Sequence, residues 1–309
     1  MKVVFMGTPD FAVPALDKIY NSKHEILACI TQPDKPSDRG HKITASPVKL
    51  YAKEKHITVL QYNKIREEGV EDLKMLAPDI VVTAAFGQIL SQEILDIPKH
   101  GVINIHASLL PKYRGSAPIS WAILNGEEKT GITIMQTEKG VDTGDIILQE
   151  ETAIGEDETT GELFDRLANI GADLVIKALD LIESGNATFT KQDESQATKC
   201  RMLTKEDGKL DFTKTAKEVY NTVRGCAPWP CAYFEYQGNK IKVFKAKVVE
   251  EDCSGEIGEV VLSDKKVGLY VKCKDKCISL EELQFPASKR VNVKDFLNGR
   301  EILKGSKLC

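Results

Sequence analysis

The sequence has no Cys-x-x-Cys pair, no Gly-x-Gly-x-x-Gly, no Gly-Lys-Ser/Thr loop and no Gly-x-Ser-x-Gly elbow. Each absence excludes a class. The three missing glycine motifs take weight from dinucleotide and phosphate-loop nucleotide cofactors and from a serine hydrolase built on Ser108. The eight cysteines lack tetrahedral ligand spacing, and no histidine lies near the C-terminal group of them. They are therefore expected as reduced structural thiols, with no metal. No apolar run approaches the roughly 18 residues of a membrane span. The opening stretch MKVVFMGTPDFAVPAL is broken by Gly7, Pro9 and Asp10 and lacks a signal-peptide apolar core, so a cytoplasmic protein is expected, with no membrane and no obligate protein partner. No internal repeat is found.

What is present is globular. The 309 residues are about twice the ~150 of a typical domain, which favours two domains. Charge is unevenly spread: residues 1–200 carry 21 Lys and Arg against 30 Asp and Glu, whereas residues 201–309 carry 21 against 16. A basic last third joined to an acidic remainder suggests a polyanionic partner.

The N-terminal runs KVVFM, EILACITQ, ITVLQY, DIVVTAAF and GVINIHA are continuous rather than alternating, and helical or polar segments separate them. A parallel sheet covered on both faces requires that pattern. Thr8 before Pro9 reads as a helix cap after the first strand. Apolar positions from Leu163 to Ile182 share one helical face. Thr159 and Glu162 have capping-box spacing ahead of them, and Gly185 supplies the stop. Residues 1–189 are thus expected as a doubly wound, Rossmann-like α/β domain, and 190–204, which include the polar run TKQDESQATKC, as a linker. Residues 205–309 hold a short helix at 216–224 and then CAYFEY, KIKVFKAKVV, GEIGEVVL, VGLYVKC and CISLEELQF, the first two joined at Gly238-Asn239. Five short antiparallel strands suggest a small OB-like β-barrel, with a sandwich as the alternative.

The chemistry concentrates in 104–145. On a strand, Asn104 and His106 project on one face at the carboxyl end, where open α/β sheets bind ligands. Asp142, in Gly-Val-Asp-Thr-Gly-Asp, sits in a glycine-bounded turn that can return a carboxylate to the imidazole. Amide, imidazole and carboxylate suffice for acyl transfer without a covalent intermediate on the enzyme. Asn104 would meet the oxyanion, His106 would donate a proton or stabilise charge, and Asp142 would orient His106 and help deprotonate an attacking amine. Tyr233, Phe234, Tyr236 and Phe244 are expected in the core and Trp229 as a packing anchor. Lys240, Lys242, Lys245 and Lys247 are the better phosphate contacts, Lys240 and Lys242 sharing one strand face.

The stretch NIHASLLPKYRGSAPI followed by VDTGD resembles the 10-formyltetrahydrofolate-dependent formyltransferases, whose Asn, His and Asp match Asn104, His106 and Asp142. The resemblance covers essentially the full length. It implies a formyl transferase with 10-formyltetrahydrofolate as co-substrate and Ser108, Leu109, Leu110 and Pro111 in the folate-binding segment. The opening MGTPDFAVPAL, the stretch QPDKPSDRGHKITASPVK and the basic C-terminal domain are similar to the branch whose acceptor is methionyl initiator tRNA. That likeness implies tRNA contacts from the 36–42 loop, with Arg39 and Lys42, and from Lys240 and Lys242. An aminosugar nucleotide is the alternative acceptor. A glycinamide ribonucleotide acceptor would leave the last hundred residues without a role, and the complete Asn-His-Asp set argues against a binding protein without turnover.

Overall fold

The computed structural model describes residues 1–36, 43–251 and 253–308, which divide into two compact units. The first consists of Met1–Pro118, Lys129–Ala153 and Phe164–Cys200. Its strands are β1 (Lys2–Gly7), β2 (Glu25–Thr31), β3 (Lys35–Pro36), β4 (Ile43–Thr44), β5 (Val59–Gln61), β6 (Ile80–Ala84), β7 (Val102–His106), β8 (Arg114–Gly115), β9 (Lys129–Gln136), β10 (Ile146–Ala153) and β11 (Lys199–Cys200). Seven form one sheet in the order β10-β9-β7-β6-β1-β2-β5.

Five of these, β5, β2, β1, β6 and β7, run parallel, and they correspond to the five continuous apolar runs. Every residue of β6 is buried, as burial on both faces demands. The sheet is mixed, however: β9 lies antiparallel to β7, and β10 antiparallel to β9. Strand order reverses at β1 and β6, so that their carboxyl ends, Gly7 and Ala84, are register partners beside β7. A Cβ on Gly7 would stand 2.7 Å from Ala12 Cβ and 3.0 Å from the Ala84 carbonyl, so only glycine permits this close turn.

Two local features depart from sequence expectation. Thr8 caps no helix. Its hydroxyl donates to the Phe86 carbonyl at 3.4 Å and accepts from the Gln32 amide at 3.2 Å, tying together the loops after β1, β2 and β6, while the first α-helix starts only at Val13. The polar run 190–200 is also bonded in place. Thr190 exchanges both backbone hydrogen bonds with Ile146, and β11 pairs in parallel with β8. A polar chain with little to bury is ordered here by hydrogen bonds. The helix Thr160–Glu183 matches expectation: Thr159 and Glu162 form the reciprocal cap, and Gly185 has φ +73°.

The second unit consists of Ile119–Glu128, Ile154–Leu163 and Arg201–Cys309. Its strands β12 (Ala232–Tyr236), β13 (Asn239–Val249), β14 (Val260–Asp264), β15 (Gly268–Lys272), β16 (Cys277–Gln284) and β17 (Val291–Asn292) make an antiparallel sheet, ordered β12-β13-β16-β15-β14 with β17 on β16. The turn joining β12 to β13 is Gln237-Gly238, both at positive φ, one residue earlier than the sequence suggested. Helices Ala216–Gly225 and Val293–Gly299 contribute Val219, Val223, Phe296 and Leu297 to a core containing Phe234, Ile241, Leu280 and Leu283. Tyr233, Phe234 and Tyr236 are buried as expected, and Phe244 is half-buried. Trp229 is 53% exposed and is no buried anchor. Cys253 and Cys277 are joined by a disulfide, which corrects the reading of all eight cysteines as free thiols.

Phe234 is fully buried in the second unit's core. Phe234→Ala removes its contacts and leaves a cavity, so a loss of about 3–5 kcal/mol is expected in denaturant titration.

Candidate active site

Asn104 and His106 leave β7 on the same face, next to the carboxyl ends of β1 and β6. The side chain of Asn104 is fixed from the neighbouring strand. Thr83 on β6 is its register partner, and the Thr83 hydroxyl donates to Asn104 Oδ1 at 2.8 Å. With Oδ1 on the Thr83 hydroxyl, the Asn104 NH2 is turned away from Thr83, and among the described residues it has no partner. It is a preset donor on a half-buried side chain.

His106 is buried, with 6% of its side chain exposed. Its Nε2 lies 2.9 Å from the Tyr113 carbonyl. A carbonyl only accepts, so Nε2 carries the proton in this bond. Nδ1 lies 3.6 Å from Asp142 Oδ2, a charge contact rather than a closed hydrogen bond. The ring is thus held edge-on between a carbonyl and a carboxylate.

Asp142 arrives by a route that only the topology explains. β9 runs antiparallel to β7 and ends at Gln136, opposite Ile103. Its following loop must therefore return about three residues, roughly 10 Å of strand, to bring a carboxylate to His106. Asp142 adopts φ +53°, and its Oδ2 accepts from the Gly115 amide at 2.7 Å. Gly115 itself has φ +110°, and a Cβ there would stand 2.3 Å from the Cys200 carbonyl. Behind the loop, Gln192 donates to the carbonyls of Asp142 at 2.9 Å and Gly144 at 2.8 Å. Arg114, 4% exposed, donates through Nε at 2.9 Å and Nη2 at 2.8 Å to Gln192 Oε1, and it pairs with Glu194. The Glu194 carboxylate, and after it Asp142, raises the already high pKa of Arg114, so this buried cation keeps its proton.

Ser108 is 1% exposed, and its hydroxyl donates to the Lys112 carbonyl at 2.7 Å. It closes a turn. Thr133 links the same segment, donating to the Ser108 carbonyl at 2.6 Å and accepting from the Leu110 amide at 3.1 Å. Gln149 donates to the Leu110 carbonyl at 2.8 Å. Leu110 is buried, while Leu109 and Pro111 are half-buried. The loop has a rigid polar interior and a partly open apolar face.

Asn104, His106, Asp142 and the Ser108–Pro111 segment therefore come together in the first unit. Arg39 and Lys42 lie outside the described residues. Lys240 and Lys242 are exposed on β13 of the second unit, and Lys240 Nζ sits 3.8 Å from the centre of the Tyr233 ring. Sequence reasoning missed Thr83, Gly115, Arg114 and Gln192 as supports. A threonine ending a valine-rich strand, and a polar QDES run with nothing to bury, were their only signals. Among the described residues, His24, Asp180 and Glu183 also bring possible metal ligands together. There the carboxylates are already paired: Lys23, and then the Met1 ammonium, hold Glu183 down at about 2, and Lys23 also binds Asp180 at 2.9 Å.

A buried imidazole, a preset amide donor and an anchored carboxylate at the carboxyl edge of a mostly parallel sheet are the kinds of group that transfer through a tetrahedral intermediate uses. The formyl transferase family model matches residues 1–179, and its C-terminal domain model matches residues 202–301. The chain belongs to the formyl transferase family. It is 48% identical to the methionyl-tRNA formyltransferase of Clostridioides difficile and 46% identical to that of Alkaliphilus oremlandii, in each case over 99% of both chains. Among solved structures, it shares its fold with WlaRD, a sugar 3N-formyl transferase, at TM-score 0.69 and 22% identity over 94% of this chain and 99% of the other. The Helicobacter canadensis N-formyltransferase is similar at TM-score 0.69 and 23% identity, over 91% and 99%.

Cys200 is a second nucleophile close to the His106 support, with Sγ 3.4 Å from the Tyr113 carbonyl. Burial, and after it the Asp142 carboxylate, push its thiol up to about 11. Thiolate appears only as pH approaches that value, so at pH 8 about one part in a thousand is reactive. Alkylation of the Cys200 peptide, followed by mass spectrometry, should be slow at pH 8 and accelerate towards pH 11; fast labelling at pH 8 would contradict this environment.

Proposed function

We propose that the chain transfers the formyl group of 10-formyltetrahydrofolate to the α-amino group of methionyl initiator tRNA for translation initiation in the cytoplasm. The observation that carries this reading is the Asn104, His106 and Asp142 constellation, within a chain that matches methionyl-tRNA formyltransferases over its whole length. Residues 1–189 would perform the chemistry, 190–204 connect, and 205–309 hold the tRNA on an antiparallel sheet read as OB-like.

The acceptor amine attacks the formyl carbon, and the carbonyl oxygen takes up negative charge. The free NH2 of Asn104 donates to that oxygen, and a protonated His106 adds positive charge beside it. Asp142 keeps His106 oriented and helps take the proton that the amine must lose. The bond from the formyl carbon to N10 then breaks, and N10 receives a proton, giving the formylated amine and tetrahydrofolate. The half-buried Leu109 and Pro111 offer the folate apolar surface, and the buried Ser108 and Leu110 hold that loop's shape. The pre-bonded polar interior of Ser108–Pro111 leaves shape, rather than unpaired donors, as what a bound folate would meet. No metal is required by this scheme.

For the tRNA, the β13 face offers Lys240, Lys242, Lys245 and Lys247, all exposed. Two register irregularities between Val243 and Ala246 shift the pleat by one position, so the exposed set passes from even to odd numbers without leaving the face. Arg39 and Lys42 would meet the acceptor end. The structural relatives include a sugar 3N-formyl transferase and an N-formyltransferase in complex with dTDP-3-aminofucose, which makes an aminosugar nucleotide the control acceptor.

Two outcomes are expected. Formyl transfer should occur to methionyl initiator tRNA and not to an aminosugar nucleotide, and it should fall at least ~100-fold in Asn104→Ala and in His106→Ala; near-parental turnover in both variants would overturn the roles. Replacing Lys240 and Lys242 together with Ala should lower the slope of log affinity against log salt by about two, one per phosphate contact. An unchanged slope would place the phosphates elsewhere.

A further inference from the structure

Within the loop carrying Asp142, the 142–144 turn is held at its backbone by one side chain. Both hydrogens of the Gln192 amide are used, one on the Asp142 carbonyl at 2.9 Å and one on the Gly144 carbonyl at 2.8 Å. Two carbonyls two residues apart, held by one planar NH2, set the turn between them as a unit. The amide cannot be reversed, because its oxygen accepts two bonds from Arg114, at 2.9 and 2.8 Å, and a flipped NH2 would face a guanidinium that only donates. Arg114 is itself held by Glu194 through bonds of 3.0 and 2.6 Å.

The carboxylate end of Asp142 has a weaker hold. One backbone amide, that of Gly115, meets Oδ2, and the contact with His106 Nδ1 is 3.6 Å, beyond a hydrogen bond. The next backbone tie of this loop is the Gln136 amide on the Asp145 carbonyl at 2.9 Å, beyond the turn, so without Gln192 the residue at φ +53° would be held by its carboxylate contact with Gly115 alone. Gln192 lies in the polar run that sequence alone reads as a connector.

We infer that Gln192 is a positioning residue for the transfer reaction, acting through Asp142: its amide clamps the 142–144 backbone and so sets the carboxylate against His106. The inference rests on the role proposed above for Asp142. Gln192 does not touch the reacting groups. Its loss should therefore appear in turnover and not in substrate binding, and only while the Asp142 carboxylate is present.

The test is a double-mutant cycle of Gln192→Glu with Asp142→Asn in the full-length protein, measuring formyl transfer to methionyl initiator tRNA. Glu keeps the length of the side chain and the acceptors for Arg114 but sets oxygens against both carbonyls. Gln192→Glu alone should lower kcat by ~10-fold or more with both KM values within about two-fold, and in the Asp142→Asn background it should cost less than about two-fold. If Gln192→Glu melts well below the parent, Gln192→Met, of the same length and without donors, replaces it in the cycle. A loss of equal size in both backgrounds would assign Gln192 a general structural role and overturn the inference, as would an unchanged kcat in the single variant. Parental turnover in Asp142→Asn would instead refute the role of Asp142, and the inference with it.

Discussion

An imidazole at the end of a strand buried on both faces, and the carboxylate that a loop brings to it, persist only where most of the polar atoms removed from water meet fixed partners. A buried polar group left unmatched costs about 1–3 kcal/mol, a sizeable part of a domain's net stability. The first unit meets this demand from outside the triad. Thr83 supports Asn104, the Tyr113 carbonyl supports His106, and the Gly115 amide supports Asp142. Three residues in these contacts, Tyr113, Gly115 and Asp142, have positive φ, and hydrogen bonds from neighbouring segments hold their backbone in place. The reactive geometry is therefore a property of the surrounding backbone as much as of three side chains.

That arrangement also explains which nucleophiles are silent. Ser108 spends its hydroxyl on a carbonyl, and the Cys200 thiol stays protonated beside a carboxylate. Neither forms an activated pair with a base. With both disabled, the direct transfer proposed above falls to the amide, the imidazole and the carboxylate.

The fold was legible where one physical signal dominated. Continuous apolar runs located β1, β2, β5, β6 and β7, helical periodicity with a reciprocal cap located Thr160–Glu183, and alternation located β12 to β16. β9 and β10 were missed as extensions of that sheet because TGITIMQ and IILQEETA carry no mark of strand direction. The Asn104, His106 and Asp142 set was visible by residue type and by resemblance. Its supports were not, since Thr83 and Gln192 act through pairings 21 and 50 residues away in sequence. The polar segment at 190–200 looked like a connector because hydrophobic patterning detects burial and is blind to a strand held by hydrogen bonds. The Cys253–Cys277 disulfide was invisible for a related reason, since a separation of 24 residues says nothing about which strands lie side by side.

The central claim is that the formyl group passes directly from folate to amine without a covalent intermediate on the enzyme. Initial rates with 10-formyltetrahydrofolate and methionyl initiator tRNA varied together test it most directly. Intersecting double-reciprocal lines, which require both substrates on the enzyme before transfer, are expected. Parallel lines, with formylated enzyme accumulating in the absence of tRNA, would contradict the account.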